Sequence, residues 1–278
     1  KKGYNGNVRA GVDKYGALNA GADFSFRQNK VNFTGAISGN QNKGVTTGVT
    51  DRLNLDTPQT SVLQNSYSKA NGGFLFGKFG VDYFVTNRTT LSLTGIKMHC
   101  KFDNNENIDI TTDSIYNYFK TSSQSERVTN SDREFNGQGL VFGFKQLFPK
   151  EGEELTVDAN FFGGKMSSNS YYTTNYFGYN NSITGTDLQK SLASGNDRNF
   201  VIQSDYIKPF SKLTKLETGV RVAIRSRTNI NDFYVYTDSA YILQPSATTN
   251  YSNTDDIYAA YAAISSSIKN FSYKAGLR

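Results

Sequence analysis

Apolar and polar residues alternate along most of this chain. Residues 18–27 show the pattern clearly, because Leu18, Ala20, Ala22, Phe24 and Phe26 are apolar and the residues between them are polar or glycine. Successive side chains of a β-strand point to opposite faces, so a period of two predicts strands with one apolar and one polar face. The same alternation recurs at residues 31–40, 155–161, 216–227 and 271–278.

The apolar side of these segments carries no Asp, Glu, Lys or Arg. A soluble sheet with one buried face also alternates, so alternation alone does not identify the environment. A strand that faces lipid obeys a stricter rule, since Lys or Arg at the bilayer midplane costs about 2–4 kcal/mol. The pattern therefore favours transmembrane strands whose apolar side meets lipid and whose polar side faces a lumen or a plug.

The spacing of the alternating segments predicts eleven strands, at residues 3–12, 17–27, 30–41, 73–85, 89–102, 134–148, 154–168, 198–210, 215–230, 255–268 and 271–278. The connections after the even-numbered strands are tight, with the sequences RQNK, TNRT, FPKEGEE, FSKLT and KN. Apart from the short first one, DKYG, the others are long and polar, at residues 42–72, 103–133, 169–197 and 231–254. Short turns at one rim and long loops at the other are typical of an outer-membrane β-barrel, with periplasmic turns and extracellular loops.

Composition removes several alternatives. There is no run of about 18 apolar residues, which excludes a transmembrane helix, and the single cysteine excludes a disulfide framework. The net charge of +6 is spread along the chain, so we expect no nucleic-acid partner. The opening KKGYNGNV has no apolar signal segment, so we expect that such a segment was removed or that the chain is a piece of a larger one.

The apolar phase changes within the fifth predicted strand. Leu91 and Leu93 share one parity, whereas the apolar residues that follow have the other: Ile96, Met98, Cys100 and Phe102. A β-bulge near Thr94 would return both sets to one face. Alternatively, the strand leaves the bilayer at this point and the pattern no longer has to be kept.

No group of residues indicates catalysis. His99 and Cys100 are neighbours in a predicted strand and point to opposite faces, so we predict neither a metal site nor a catalytic triad there. Residues 103–109 place oxygen side chains at alternate positions, as a calcium loop does, but Ile108 stands where such a loop needs glycine. We predict a solvated polar loop at this point, and a protein that is not an enzyme and holds no metal or cofactor.

Aromatic residues in the long polar segments are the candidate ligand contacts: Tyr171, Tyr172, Tyr176, Phe177, Tyr179, Tyr234 and Tyr236. Exposed aromatic rings stack on sugars or flat chelates and lose little conformational entropy on contact. The alternative is that these rings pack within strand extensions above the membrane or in the outer aromatic girdle.

Charged residues on the polar sides of the strands are the candidate lumen residues: Arg9, Asp23, Asp158, Glu217, Arg221, Arg225 and Arg227. We expect them to pair with a plug that fills the lumen. The alternative is that they line a path for an anionic solute.

The order of these features resembles a known family. KKGYNGNVRAGVDKYG resembles the join between the plug and the first barrel strand of TonB-dependent outer-membrane receptors. FGVDYFVTNRTTLSL, SDYIKPFSKLTKLETGVRVAIRSRTN and DDIYAAYAAISSSIKNFSYKAGLR resemble the Bacteroidota outer-membrane barrel subfamily of those receptors, so the resemblance runs over the whole chain. Two departures are that the family's plug and TonB box are missing and that YKAGLR is not the usual terminal aromatic strand.

The resemblance implies an all-β, antiparallel transmembrane barrel in the bacterial outer membrane. Receptors of this kind have 22 strands, so residues 1–278 would be one partial barrel domain holding about half of the strands, without the plug. The implied function is import of large nutrients such as glycans, peptides or metal chelates.

The implied partners are outer-membrane lipid and lipopolysaccharide, the protein's own plug, a TonB-type energy-transducing protein, and a surface lipoprotein or other subunits of an envelope complex. Two alternatives stay open at this point. One is a structural barrel subunit of an outer-membrane complex that does not transport. The other is a secreted, soluble β-sandwich or adhesin.

Overall fold

The computed structural model describes residues 2–268 and 271–278, which form one antiparallel β-sheet. Its strands are β1 (Lys2–Val12), β2 (Leu18–Gln28), β3 (Val31–Asn54), β4 (Gln59–Phe84), β5 (Thr89–Ile115), β6 (Lys120–Leu147), β7 (Glu154–Phe177), β8 (Ile183–Pro209), β9 (Thr214–Thr237), β10 (Ala240–Leu243), β11 (Thr249–Ile268) and β12 (Phe271–Leu277). Two 3-10 helices, Tyr179–Asn181 and Pro245–Ala247, lie between strands. In the part of the chain described, no helix has the length and apolar character needed to cross a membrane.

The strands follow one another across the sheet in chain order, from β1 to β9 and then β11 and β12, while β10 pairs with β9 alone. This order confirms the eleven predicted antiparallel strands. The pattern does not predict β10, which returns on β9 through Asp238 and Ser239, whose φ angles are 53° and 66°. Two positive φ angles make a tight type I′ hairpin turn, and an Asp-Ser pair without glycine is a weak sequence signal for it.

The four long polar segments are mostly strand. β3 and β4 pair without a break up to Asn54↔Thr60, and β5 and β6 up to Ile115↔Lys120. β3 is thus 24 residues long and β6 is 28, and the joins at this end, which we call the upper rim, shrink to residues 55–58, 116–119 and 178–182. The prediction of long loops is therefore wrong: backbone groups in these segments are satisfied by pairing between strands.

The opposite end of the sheet, which we call the lower rim, consists of tight turns as predicted. Residues 29–30, 85–88, 148–153 and 210–213 connect the strands there. The predicted KN turn at 269–270 lies outside the described residues.

One face of the sheet carries an apolar belt near the lower rim. The register places Phe79, Leu93, Leu140 and Phe161 on this face, which we call the outer face. We define the belt by the outer-face positions within residues 31–39, 75–83, 91–95, 140–144, 155–161, 200–206 and 216–224, and none of these positions is charged. The belt is open to its surroundings, since 54% of Phe79 and 55% of Leu140 are exposed.

Among the described residues, the sheet has no packed protein interior. In the described ranges the buried apolar residues are Ala17, Val201 and Ala223, whereas Leu18 and Tyr273 on the outer face are 58% and 43% exposed. A soluble sandwich packs two apolar sheet faces against each other. The secreted β-sandwich alternative is therefore wrong for this chain.

β5 passes through Thr94 and Gly95 without a bulge. Thr94 pairs with Gly80 and Val141, and Gly95 with Phe79 and Leu140, in an unbroken register. The apolar residues after Gly95 therefore lie on the inner face, opposite the belt. Of the two explanations for the change of phase, the bulge is wrong, and β5 rises above the belt from Lys97 onwards.

Candidate functional site

The inner face opposite the belt is a connected polar surface. Ser25 Oγ donates to Asn32 Oδ1 at 3.1 Å, and Asn32 Nδ2 donates to Asp82 Oδ2 at 3.0 Å. Ser92 Oγ donates to the other Asp82 carboxylate oxygen at 2.7 Å. This chain of hydrogen bonds crosses β2 to β5, at the height where the outer face is apolar. A polar network of this kind is typical of a barrel wall that faces a wet lumen or a plug.

All seven predicted lumen residues lie on the inner face: Arg9, Asp23, Asp158, Glu217, Arg221, Arg225 and Arg227. Several of them pair within the sheet. Arg9 Nη1 lies 3.7 Å from Asp23 Oδ1, and Arg227 Nε donates to Asp197 Oδ1 at 2.6 Å.

Glu217 accepts from two lysines, Lys215 at 2.6 Å and Lys274 on β12. Arg221 donates weakly to Gln203 Oε1, at 3.5 Å. For Arg225 and Asp158, the structure shows no side-chain ion pair or hydrogen bond within residues 2–268 and 271–278. Among the seven predicted residues, these two offer an external group an uncommitted charge.

An apolar cluster that the sequence pattern does not predict occupies the inner face at and above the upper edge of the belt. Its members come from β4 to β7: Phe74, Phe76, Ile96, Met98, Cys100, Phe102, Phe135, Phe162 and Met166. Phe135 covers Gly137 and Gly164 so closely that a Cβ at either glycine would lie within 2.8 Å of its ring. The change of phase after Leu93 is the sequence signal that could have revealed this cluster.

The predicted aromatic contacts do not form one surface. Tyr172 and Tyr176 lie on the inner face of β7, where the Arg127 guanidinium stands 4.5 Å from the Tyr172 ring centre. Tyr176 donates to Asp187 Oδ2 at 2.8 Å. This hydrogen bond raises the pKa of Tyr176 above its ordinary value of 10.0, so the phenol is neutral at physiological pH.

A second aromatic group lies on the outer face near the upper rim. Lys190 stands 4.8 Å from the ring centre of Tyr234 and 4.3 Å from that of Tyr241. The Tyr241 ring meets that of Tyr236 edge-on at 5.1 Å, and Tyr171 pairs with Lys190 across β7 and β8. Lysine held against aromatic faces is a cation–π arrangement.

The remaining two aromatic candidates are separate. Phe177 ends β7 on the outer face, and Tyr179 stands at the tip with 94% of its surface exposed. Of the predicted contacts, only Tyr172 and Tyr176 lie on the inner face of the sheet.

The polar residues that raised the question of metal binding are part of β5. His99 lies on the outer face with Nδ1 at 2.9 Å from Asn136 Oδ1, and Cys100 points to the inner face. Asn107, from the calcium-like run, donates to Glu126 Oε1 at 2.7 Å. That run is strand, so the prediction of a loop there is wrong. In the described part of the chain, no three His, Cys, Asp or Glu residues stand close enough to hold a metal ion.

Residues 146–278 match the family model described as "Outer membrane protein beta-barrel family". No curated protein sequence matches the chain. Many solved structures are similar to this chain, and three receptors among them show the low level of identity. The ferric yersiniabactin uptake receptor FyuA of Yersinia pestis is 9% identical with a TM-score of 0.38, over 96% of this chain and 45% of that one.

The ferric-catecholate import receptor Fiu of E. coli K12 is 9% identical with a TM-score of 0.39, over 99% of this chain and 50% of that one. The siderophore receptor PiuA of Acinetobacter baumannii is 11% identical with a TM-score of 0.40, over 99% and 49%. The chain thus spans about half the length of these receptors. The family match agrees with the apolar outer-face belt and the polar inner face. Residues 146–278 are similar to an outer-membrane β-barrel, and the protein is located in the bacterial outer membrane.

Proposed function

We propose that this chain forms part of the barrel wall of an outer-membrane receptor that imports large nutrients such as glycans, peptides or metal chelates. The observation that carries the proposal is the contrast between the two faces at one height. The outer face is an uncharged belt, and the inner face behind it is a hydrogen-bonded polar surface around Asp82. Such a wall separates lipid from an interior that accepts polar cargo.

The open edges of the sheet support a larger wall. Within residues 2–268 and 271–278, β1 and β12 each pair with a strand on one side only. Hydrocarbon cannot satisfy the backbone groups of an unpaired edge, and barrels avoid this cost by closing. In the proposal, further strands close the wall to a total of 22, as the family resemblance implies, and the protein's own plug fills the lumen.

The proposed cycle begins at the upper rim, on the extracellular side. Arg127, Tyr172 and Tyr176 face the interior there and offer a cation, a ring face and a hydroxyl to a polar ligand. A TonB-type energy-transducing protein then displaces the plug from the periplasmic side. Neither the wall nor this cycle requires covalent chemistry, so no enzymatic activity is proposed.

The direct test of the wall uses two neighbouring positions on opposite faces. In the intact protein with Cys100→Ser, Asp158→Cys and Val157→Cys are each exposed to a water-soluble maleimide in lipid vesicles. The proposal expects labelling at position 158 and protection at position 157. Labelling of position 157, alone or together with position 158, contradicts it.

The test of transport compares cells with and without the intact protein, each with and without its TonB-type partner. Uptake of a labelled glycan, peptide or chelate pool is measured at equal protein levels. Import requires both proteins if the proposal holds. Growth and uptake that are the same in all four strains contradict it.

A structural subunit without transport is the second candidate, and the outer-face group around Lys190 favours it. Tyr171, Tyr234, Tyr236 and Tyr241 point away from the interior, so they are placed to meet a neighbouring protein rather than cargo. A photo-crosslinking amino acid at position 236 tests this candidate. Capture of a surface lipoprotein or another envelope subunit, together with absent uptake, selects the scaffold over the transporter.

A further inference from the structure

The apolar belt contains a groove of about 800 Å³ on the outer face of β3 to β7. Its sides are the side chains of Ile37, Phe79, Leu93, Leu140 and Phe161. The lining is mostly apolar and extends across the strands from Ile37 on β3 to Phe161 on β7, with Lys97 at the edge nearer the upper rim. A groove of this kind on a lipid-facing wall accepts a hydrocarbon chain.

Two glycines form the floor of the groove. A Cβ added at Gly77 would meet no atom closer than 4.0 Å, and the same holds at Gly95. The space above both glycines is therefore open, and a larger side chain would occupy the groove without displacing the backbone. Because each glycine weakens a strand through its backbone entropy, their place between large apolar residues marks a gap that packing of the sheet does not require.

Basic side chains stand where the groove ends. Lys97 lines the upper end of the groove and is the first outer-face residue above the belt on β5. Lys101, Lys165 and Arg198 occupy outer-face positions in the same zone of β5, β7 and β8. The acidic residues of this zone are Glu134, which lies 3.9 Å from His99, and Asp103 and Asp132, which occupy the next outer-face positions above it. The four cations still outnumber the three carboxylates.

We propose that the groove is a binding site for a phosphorylated glycolipid of the outer leaflet, with one acyl chain in the groove and a phosphate at Lys97. A lysine ammonium binds phosphate as a point charge, and the belt supplies the apolar contact that a headgroup alone lacks. The cationic end faces the upper rim, so the choice of the outer leaflet rests on the proposed orientation of the barrel. The site binds lipid whether or not the protein transports.

The test measures lipid retained by the intact protein in mild detergent, by native mass spectrometry, with lipid A as the probe. Lys97→Gln and Gly95→Leu remove the charge and fill the groove. Lys212→Gln makes the same charge change at the lower rim, and Gly44→Leu the same substitution at a glycine with no atom within 4 Å of its Cβ but on the inner face. Heat-modified gel mobility verifies that all variants fold.

We expect lipid A affinity to fall about tenfold in Lys97→Gln, as for the loss of one charge-assisted hydrogen bond, and by more in Gly95→Leu. The two control variants retain the affinity of the wild type. Enzymatic removal of the phosphates from lipid A weakens its binding to the wild type, but does not weaken its binding to Lys97→Gln any further. Equal retention by all variants overturns the site. Binding of phosphatidylglycerol as tight as that of lipid A overturns the assignment to the outer leaflet, and the maleimide test of the wall stays independent of either result.

Discussion

The lower and upper halves of β5 place their apolar residues on opposite faces of one unbroken strand. Near the lower rim, Leu91 and Leu93 lie on the outer face and Ser92 on the inner face. Above Gly95 the outer face carries Lys97 and His99, and the inner face carries Met98 and its neighbours. The backbone is the same in both halves, so the difference reflects the surroundings of the two faces.

The environment of the two faces differs between the belt and the part of the wall above it. In the belt, all charged residues are on the inner face and the outer face carries none. Above the belt both faces meet water or polar partners, so an apolar group gains by clustering, and the inner face supplies the cluster around Phe135. Strand pairing is unchanged by this reversal because pairing uses only the backbone.

The largest effect is expected from a charge in the belt. Leu93→Arg should lower the free energy of unfolding in vesicles by about 2–4 kcal/mol, because a cation facing hydrocarbon costs about this much. Thr94→Arg, one residue on but on the inner face, should change it by less than about 1 kcal/mol. Urea titration of the intact protein in vesicles measures both, and equal losses would contradict the assignment of faces.

The inner cluster should respond next. Phe135→Ala removes the ring that covers Gly137 and Gly164, and because the ring is only half-buried, we expect a loss of about 1–2 kcal/mol in the same titration. Tyr118→Ala serves as the control, since that ring is 97% exposed at a tip and should contribute nothing. If Phe135→Ala is neutral, the apolar residues above the belt do not form a stabilising cluster.

A smaller effect is expected for the tyrosine near the upper rim. Tyr176→Phe removes one hydrogen bond to Asp187, which is worth at most about 0.5–1.5 kcal/mol in a partly exposed site. Amide hydrogen exchange in β7 and β8 should quicken near this pair. In the Asp187→Asn background the same substitution should have a reduced effect, and a full effect there would show that the bond is not the cause.

The smallest effect concerns pH at the β5–β6 tip. Hydrogen bonds from Lys120, at 2.7 Å, and Ser122 lower the pKa of Asp113 below its ordinary value of 3.8. A lowered pKa stabilises the fold at pH values above 3.8, and this contribution disappears as pH falls through the lowered value. At pH 7, the amides of the tip should therefore be better protected from hydrogen exchange in the wild type than in Asp113→Asn. Near pH 2, the two proteins should be equally protected. A difference that persists in acid would rule out this ion pair as its source.

Much of the wall could be predicted from the sequence because the belt forces strict alternation. Parity alone predicts that Arg221 and Val222 lie on opposite faces, and the register agrees. The lengths of the strands could not be predicted in the same way. Asn105, Glu106 and Asn107 meet polar surroundings on both faces, so no alternation distinguishes a paired strand from a loop.

The candidate contacts illustrate the same limit. The aromatic character of the segment predicts one contact surface that includes Tyr171 and Tyr172, yet adjacent strand residues lie on opposite faces, and the structure separates them accordingly. Parity would have separated them once the segment was known to be strand. The closeness of Lys190 to Tyr241 depends on the β10 hairpin, whose turn has no strong sequence signal.

The height of the strands determines which part of the protein is met first by molecules that approach from outside the cell. From Lys97 to the end of β5 the wall continues for about 60 Å of strand, at about 3.4 Å per residue. In the proposed orientation, these stiff ribbons carry the 55–58 and 116–119 tips well clear of the lipid surface and into the carbohydrate coat. Antibodies and bacteriophages would meet these tips before any other part of the chain, so diversification under such attack should concentrate there and spare the ribbons that hold the tips up.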